Sequence, residues 1–175
     1  VLDRIGTIVT SETARIKVEF TDPKALECAV RSMSGQWIGN GSHRLYAGNE
    51  SGYGFKLAGW TYPIVLGESG NLSYDTYKGQ WGNEVDIQRL KGEYAIALAE
   101  VAAANLGWLT ERVDGQLVVH HPVSGTMTIT LDGVVSASGF QGAGCHAAIE
   151  SLGLPLGEIH QHPEYAAVEA SVQRS

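Results

Sequence analysis

The sequence predicts an α+β fold: a mainly antiparallel sheet packed by two to three helices, with a small C-terminal hairpin–helix unit. Three observations point there. The 22 glycines punctuate short runs of alternating apolar and polar residues. Asp114-Gly115 and Asp132-Gly133 each sit between apolar runs, which is a strong hairpin signal. Capped segments of helical spacing lie between the β regions.

In order along the chain, Ile5 to Thr10 and Ala14 to Phe20 read as strands, with Ile16, Val18 and Phe20 alternating with Arg15, Lys17 and Glu19. Asp22 caps a helix, Pro23 suits its first position, and Leu26, Ala29, Val30 and Met33 form one stripe that Gly35 ends. From Trp37 to Gly82 the pattern is a β-meander, with strands expected at 43–47, 53–58, 62–66 and 72–77. Nine aromatic residues crowd it, which fits either cross-strand packing or a ligand cleft. Asn83 caps a long helix in which Ile87, Leu90, Tyr94, Leu98 and Val101 recur at helical spacing, and Gly107 ends it. Gly92 interrupts that helix at a cost of up to about 1 kcal/mol relative to alanine. Hairpins follow at 108–121 and 126–138, then a short helix over 144–152, and a weak helical pattern runs from His160 to Ser175. These elements suggest an α+β domain over 1–122 and a smaller hairpin–helix unit over 123–175, docked on the first.

Composition narrows the functional class. A chain of 175 residues buries roughly 70% of the surface its unfolded form exposes, so it needs no disulfide or metal staple. Twelve Lys and Arg against nineteen Asp and Glu give a net charge of −7, and no Lys or Arg falls between Arg112 and Arg174. Such a surface repels phosphate backbones, so neither nucleic acid nor an anionic membrane is expected as a partner. Cys28 and Cys145 form no disulfide framework, and no long apolar run suggests a signal peptide or membrane span. The cytoplasm is the expected location, and no cofactor is implied.

One local arrangement merits a chemical hypothesis. Gly139-Phe140-Gln141-Gly142-Ala143-Gly144-Cys145-His146 joins a strand to a helix and puts a thiol near a helix N-terminus, where the dipole favours the thiolate. Cys145 and His146 are therefore the catalytic or redox candidates, against the plainer reading of a tight turn feeding a packed cysteine. His120, His160 and His162 are candidate metal ligands, with Cys145 or His146 completing the set, although their spacing follows no zinc pattern. His120 and His121 are adjacent on a strand, so only one of them can join a given site. No paired carboxylates, G-x-S-x-G or H-E-x-x-H occur.

Two parts of the chain resemble known families. Ile5-Gly6-Thr7-Ile8, Asp22-Pro23-Lys24-Ala25-Leu26, Gly52-Tyr53-Gly54-Phe55, Trp81-Gly82, Tyr94-Ala95 and Asp114-Gly115 occur in one order. In that order residues 1–122 resemble the uncharacterised cyanobacterial and plastid family called hypothetical chloroplast open reading frame thirty-five. Asp132-Gly133, the Gly139 to Cys145 turn, Leu156-Gly157 and Pro163-Glu164-Tyr165 are similar to a second family of very short uncharacterised proteins, often encoded beside the first. The β region between Ala14 and Phe20 and the histidines at 160 and 162 depart from these patterns. The resemblance implies an α+β fold, no established activity, and association with an AAA-type ATPase encoded nearby. A non-enzymatic accessory protein that binds a protein partner or itself is the expectation. A thiol-dependent enzyme or redox sensor using Cys145, and a small-ligand or metal binder, are the alternatives.

Overall fold

The computed structural model describes residues 8–140 and 144–165. In chain order the elements are β1 (Ile8–Arg15), α1 (Pro23–Ser32), β2 (Gln36–Arg44), β3 (Asn49–Lys56), β4 (Ile64–Leu66), β5 (Leu72–Ser73), α2 (Glu84–Asn105), β6 (Leu109–Val113), β7 (Gln116–His120), β8 (Thr126–Ile129), β9 (Val134–Ser138), α3 (Gly144–Ser151) and β10 (His160–Tyr165). Two antiparallel sheets and three helices make this an α+β fold. Among the described residues no helix is long and apolar enough to cross a membrane.

The chain divides into two compact units. The four-stranded unit takes Val18–Leu98 and Leu131–Gly133, and its sheet runs in the order β2-β3-β4-β5. Asp22 caps α1 by accepting from the backbone N–H of Lys24 at 2.9 Å and of Ala25 at 3.3 Å. The buried stripe of that helix, Leu26, Ala29 and Val30, joins Phe55, Ile64, Leu90 and Tyr94 in one core. Each of the larger side chains contributes about 1.5–3 kcal/mol by leaving water. The buried Tyr94 hydroxyl accepts from the N–H groups of Thr21 and Asp22 at 3.1 and 3.0 Å and donates to Glu19 O at 3.3 Å. It thereby ties the segment before α1 to α2.

The six-stranded unit takes Val1–Lys17, Ala99–Thr130 and Val134–Ser175, and its sheet order is β10-β1-β9-β8-β7-β6. The strands of the segment 123–175 thus share one sheet with β1, β6 and β7. Register puts Glu12 and Ala14 beside Ala137 and Val135, then Met127 and Ile129, then Val119 and Leu117, and all eight are buried. Over the β9 and β1 end lies α3, burying Cys145, Ala148 and Ile149.

Three local expectations change. The two expected N-terminal strands are one, ending at Arg15, and Ile16 makes only an isolated bridge to Leu156. The alternation through Phe20 continues because Val18 and Phe20 turn into the core of the other unit, with no strand partner. The strand expected at His43 begins seven residues earlier, at Gln36, with a bulge between Trp37 and Gly39. Gly39 has a φ of 106°, and that bulge reads in sequence as turn punctuation. His160 to Tyr165, expected as weakly helical, forms β10 against β1. Residues 5–7, 141–143 and 166–175 of the expected elements lie outside the described residues.

Candidate functional site

The four-stranded unit exposes a cluster of aromatic rings. Tyr46 comes from the β2–β3 turn, Tyr62 from the segment before β4, and Tyr77 and Trp81 from the loop before α2. Trp81 is the hub: its ring centroid lies 4.6 Å from Tyr77 in a stacked pair, 4.8 Å from Tyr46, and 5.2 Å from Tyr62 edge-on. Tyr46 and Tyr77 remain 61% and 55% exposed. Among the described residues no partner hydrogen-bonds the three hydroxyls or the Trp81 indole N–H.

Backbone bonds hold these loops. Leu45 N–H donates to Gly48 O at 2.8 Å and closes the turn that carries Tyr46. Thr61 N–H donates to Trp81 O at 2.8 Å, linking two of the segments. Tyr77 and Lys78 have φ of 44° and 53°, followed by Gly79 at 91°, and Gly79 N–H and Gln80 N–H donate back to Thr76 O and Tyr77 O. This is a left-handed turn. For two non-glycine residues it costs roughly 1–2 kcal/mol each. The turn places the Tyr77 ring face to face with Trp81.

A cleft runs past the Gly67–Asn71 loop of the same unit, in three adjoining hollows of about 880, 290 and 370 Å³. The first and second share Tyr53, Leu66 and Glu68; the second and third share Phe20 and Gly70. At the wide end stand Asn40, Asn49, Glu50, Ser51 and Glu68. Tyr53, stacked on Trp37 at 6.0 Å, lies at the junction. At the narrow end the Tyr74 hydroxyl donates to both Glu84 carboxylate oxygens, at 3.0 and 3.1 Å. Burial first, and then the adjacent Glu84, hold the Tyr74 phenol above its ordinary pKa.

The residues singled out in the sequence are dispersed over the six-stranded unit. Cys145 is fully buried, 0% exposed, on the face of α3 that meets the sheet. In that position the thiol is packed beneath α3 and shielded from solvent. His146, beside it, turns to carboxylates: Nδ1 lies 3.2 Å from Glu12 Oε2 and Nε2 3.0 Å from Glu150 Oε1. Glu12 is a buried acid on β1, and nothing in its sequence context marks it as more than a polar position in a half-buried strand. His120 lies 2.9 Å from Glu111 Oε1 on the neighbouring strand. His160 and His162 stand opposite Thr13 and Ser11 at the other edge of the sheet. Four inter-strand steps, roughly 19 Å, separate β7 from β10, so His120 does not meet them. Among the described residues no group of three or more His, Cys, Asp or Glu is arranged to hold a metal ion.

The rings of the cluster are visible as a crowd in the sequence, but which of them meet outside the core is set by the turns that carry Tyr46 and Tyr77 and by the Thr61–Trp81 backbone bond. Trp37, Phe55, Trp60 and Tyr74 pack within or against the core instead. No protein-family model matches the chain, and no curated protein and no solved structure matches it either.

Proposed function

We propose that the chain is a non-catalytic accessory protein that binds another protein through Tyr46, Tyr62, Tyr77 and Trp81. The single observation that carries this reading is the exposed ring cluster around Trp81, built on a strained turn. Tyr and Trp are enriched at interfaces because a stiff ring brings large apolar area at little entropic cost, with a polar tip to bond across the contact. Backbone strain kept at a surface position, where no core packing requires it, supports a binding role for Tyr77. The resemblance of residues 1–122 to the plastid family makes an AAA-type ATPase the partner class to test first. Self-association is the other candidate.

Affinity capture from native cells with the wild-type chain and a Tyr77→Ala/Trp81→Ala variant tests this. The wild type is expected to recover an AAA-type ATPase subunit that the variant loses, with both proteins melting alike. Equal recovery by the variant, or recovery of neither an ATPase nor a second copy by the wild type, removes the reading.

A further inference from the structure

A different part of the four-stranded unit carries a second inference, independent of the ring cluster. We propose that the cleft beside the Gly67–Asn71 loop is a binding site for a neutral oligosaccharide.

Its shape fits a chain-like ligand. The three hollows adjoin one another along shared lining residues, and the widest, at about 880 Å³, lies within the range of small-molecule sites. Its chemistry selects among ligands. The wide end is lined by Asn40, Asn49, Ser51 and Glu68, which bring two amides, a hydroxyl and a carboxylate, while Glu50, between Asn49 and Ser51 on β3, projects from the opposite face of the strand. Among the described residues these four side chains make no hydrogen bond or ion pair with protein groups. Carboxylates only accept, whereas amides and hydroxyls do both. The best complement is therefore a ligand that offers several donors and acceptors close together, as the vicinal hydroxyls of a sugar do. Tyr53, half-buried and braced by the Trp37 ring, supplies an aromatic surface at the junction of two hollows, against which the C–H face of a pyranose can lie.

Other ligand classes fit less well. Glu68 repels a phosphate or nucleotide at the wide end, and the one lining cation, Lys91, is at the narrow end. A peptide backbone offers one N–H per residue, too few to satisfy a carboxylate and two amides crowded at one end.

The test is calorimetric titration of the whole chain with neutral hexasaccharides of β-1,4-glucose, β-1,4-xylose, α-1,4-glucose and N-acetylglucosamine, each at millimolar concentration. At least one is expected to bind, and Asn49→Ala and Glu68→Gln are each expected to weaken it about tenfold, the loss of one hydrogen bond to a polar or charged group. Both positions are exposed, so melting temperatures should not change. The Tyr77→Ala/Trp81→Ala variant is expected to bind sugar like the wild type, which separates this site from the protein-binding surface. Absence of heat with all four sugars overturns the proposal. So does binding that survives both cleft substitutions, or saturation of the cleft by a basic peptide with no sugar bound.

Discussion

Glu12 illustrates how one side chain can constrain an element. It sits on the inner face of β1, 5% exposed, where an isolated carboxylate would cost several kcal/mol. His146 Nδ1, on α3, lies 3.2 Å from Glu12 Oε2, an oxygen with no hydrogen-bond partner among the described residues, so α3 brings an imidazole nitrogen to a buried polar position. Tyr74 offers a cleaner measurement. Its phenol is held above the ordinary value of 10.0 by burial first, then by hydrogen bonding to and repulsion from Glu84. The folded chain keeps this proton at a pH where the unfolded chain has lost it. The contribution of Tyr74 to stability is therefore complete below the ordinary value and declines as the pH rises past it. Absorbance titrations of the wild type against Tyr74→Phe should show one phenol ionising above the ordinary range. In a Glu84→Gln background that ionisation should move down but stay elevated, since burial remains. An unshifted midpoint in both backgrounds would refute the assignment.

At the scale of elements, helix propensity and packing disagree inside α2. Gly92 lies in the middle of that helix, where alanine ordinarily stabilises by about 1 kcal/mol. A Cβ there would strike the backbone carbonyl of Leu131, in the turn between β8 and β9. Gly92→Ala is accordingly expected to lower stability by about 1–3 kcal/mol in urea unfolding, the cost of overpacking. A rise in stability would mean that the close approach is relaxed in solution. The same helix was legible in sequence from end to end, because Asn83, the apolar spacing and Gly107 are local signals. Both Asp-Gly hairpins were legible for the same reason, and Asp114 does adopt a positive φ of 51°. By contrast, β10 was not. Its strand character comes from β1, more than 140 residues away, and His-Gln-His-Pro-Glu-Tyr carries no alternation of its own. For the site, aromatic crowding was visible in the sequence. The convergence of Tyr46, Tyr62, Tyr77 and Trp81 depends on tertiary turns that no spacing encodes.

Over the whole molecule, chain order and spatial order differ between the two units. The four-stranded sheet follows the sequence strictly, β2 to β5. The six-stranded sheet places β1, the first strand, between β9 and β10, the last two. Removing residues 160–175 should leave β1 with an unpaired outer edge. That truncation is expected to destabilise the six-stranded unit and promote aggregation, read by light scattering and by loss of amide protection in β1 and α3. Unchanged protection there would show that β9 alone suffices to hold β1.

During synthesis this arrangement imposes a waiting period. Val18–Leu98 leaves the ribosome with all four strands of its own sheet and can collapse early, while β1, made before it, stays unpaired until β9 and β10 emerge. The strand left longest without its partners is thus β1. A chaperone that shields Ile8–Arg15 until β9 and β10 have emerged should raise the yield of the folded six-stranded unit.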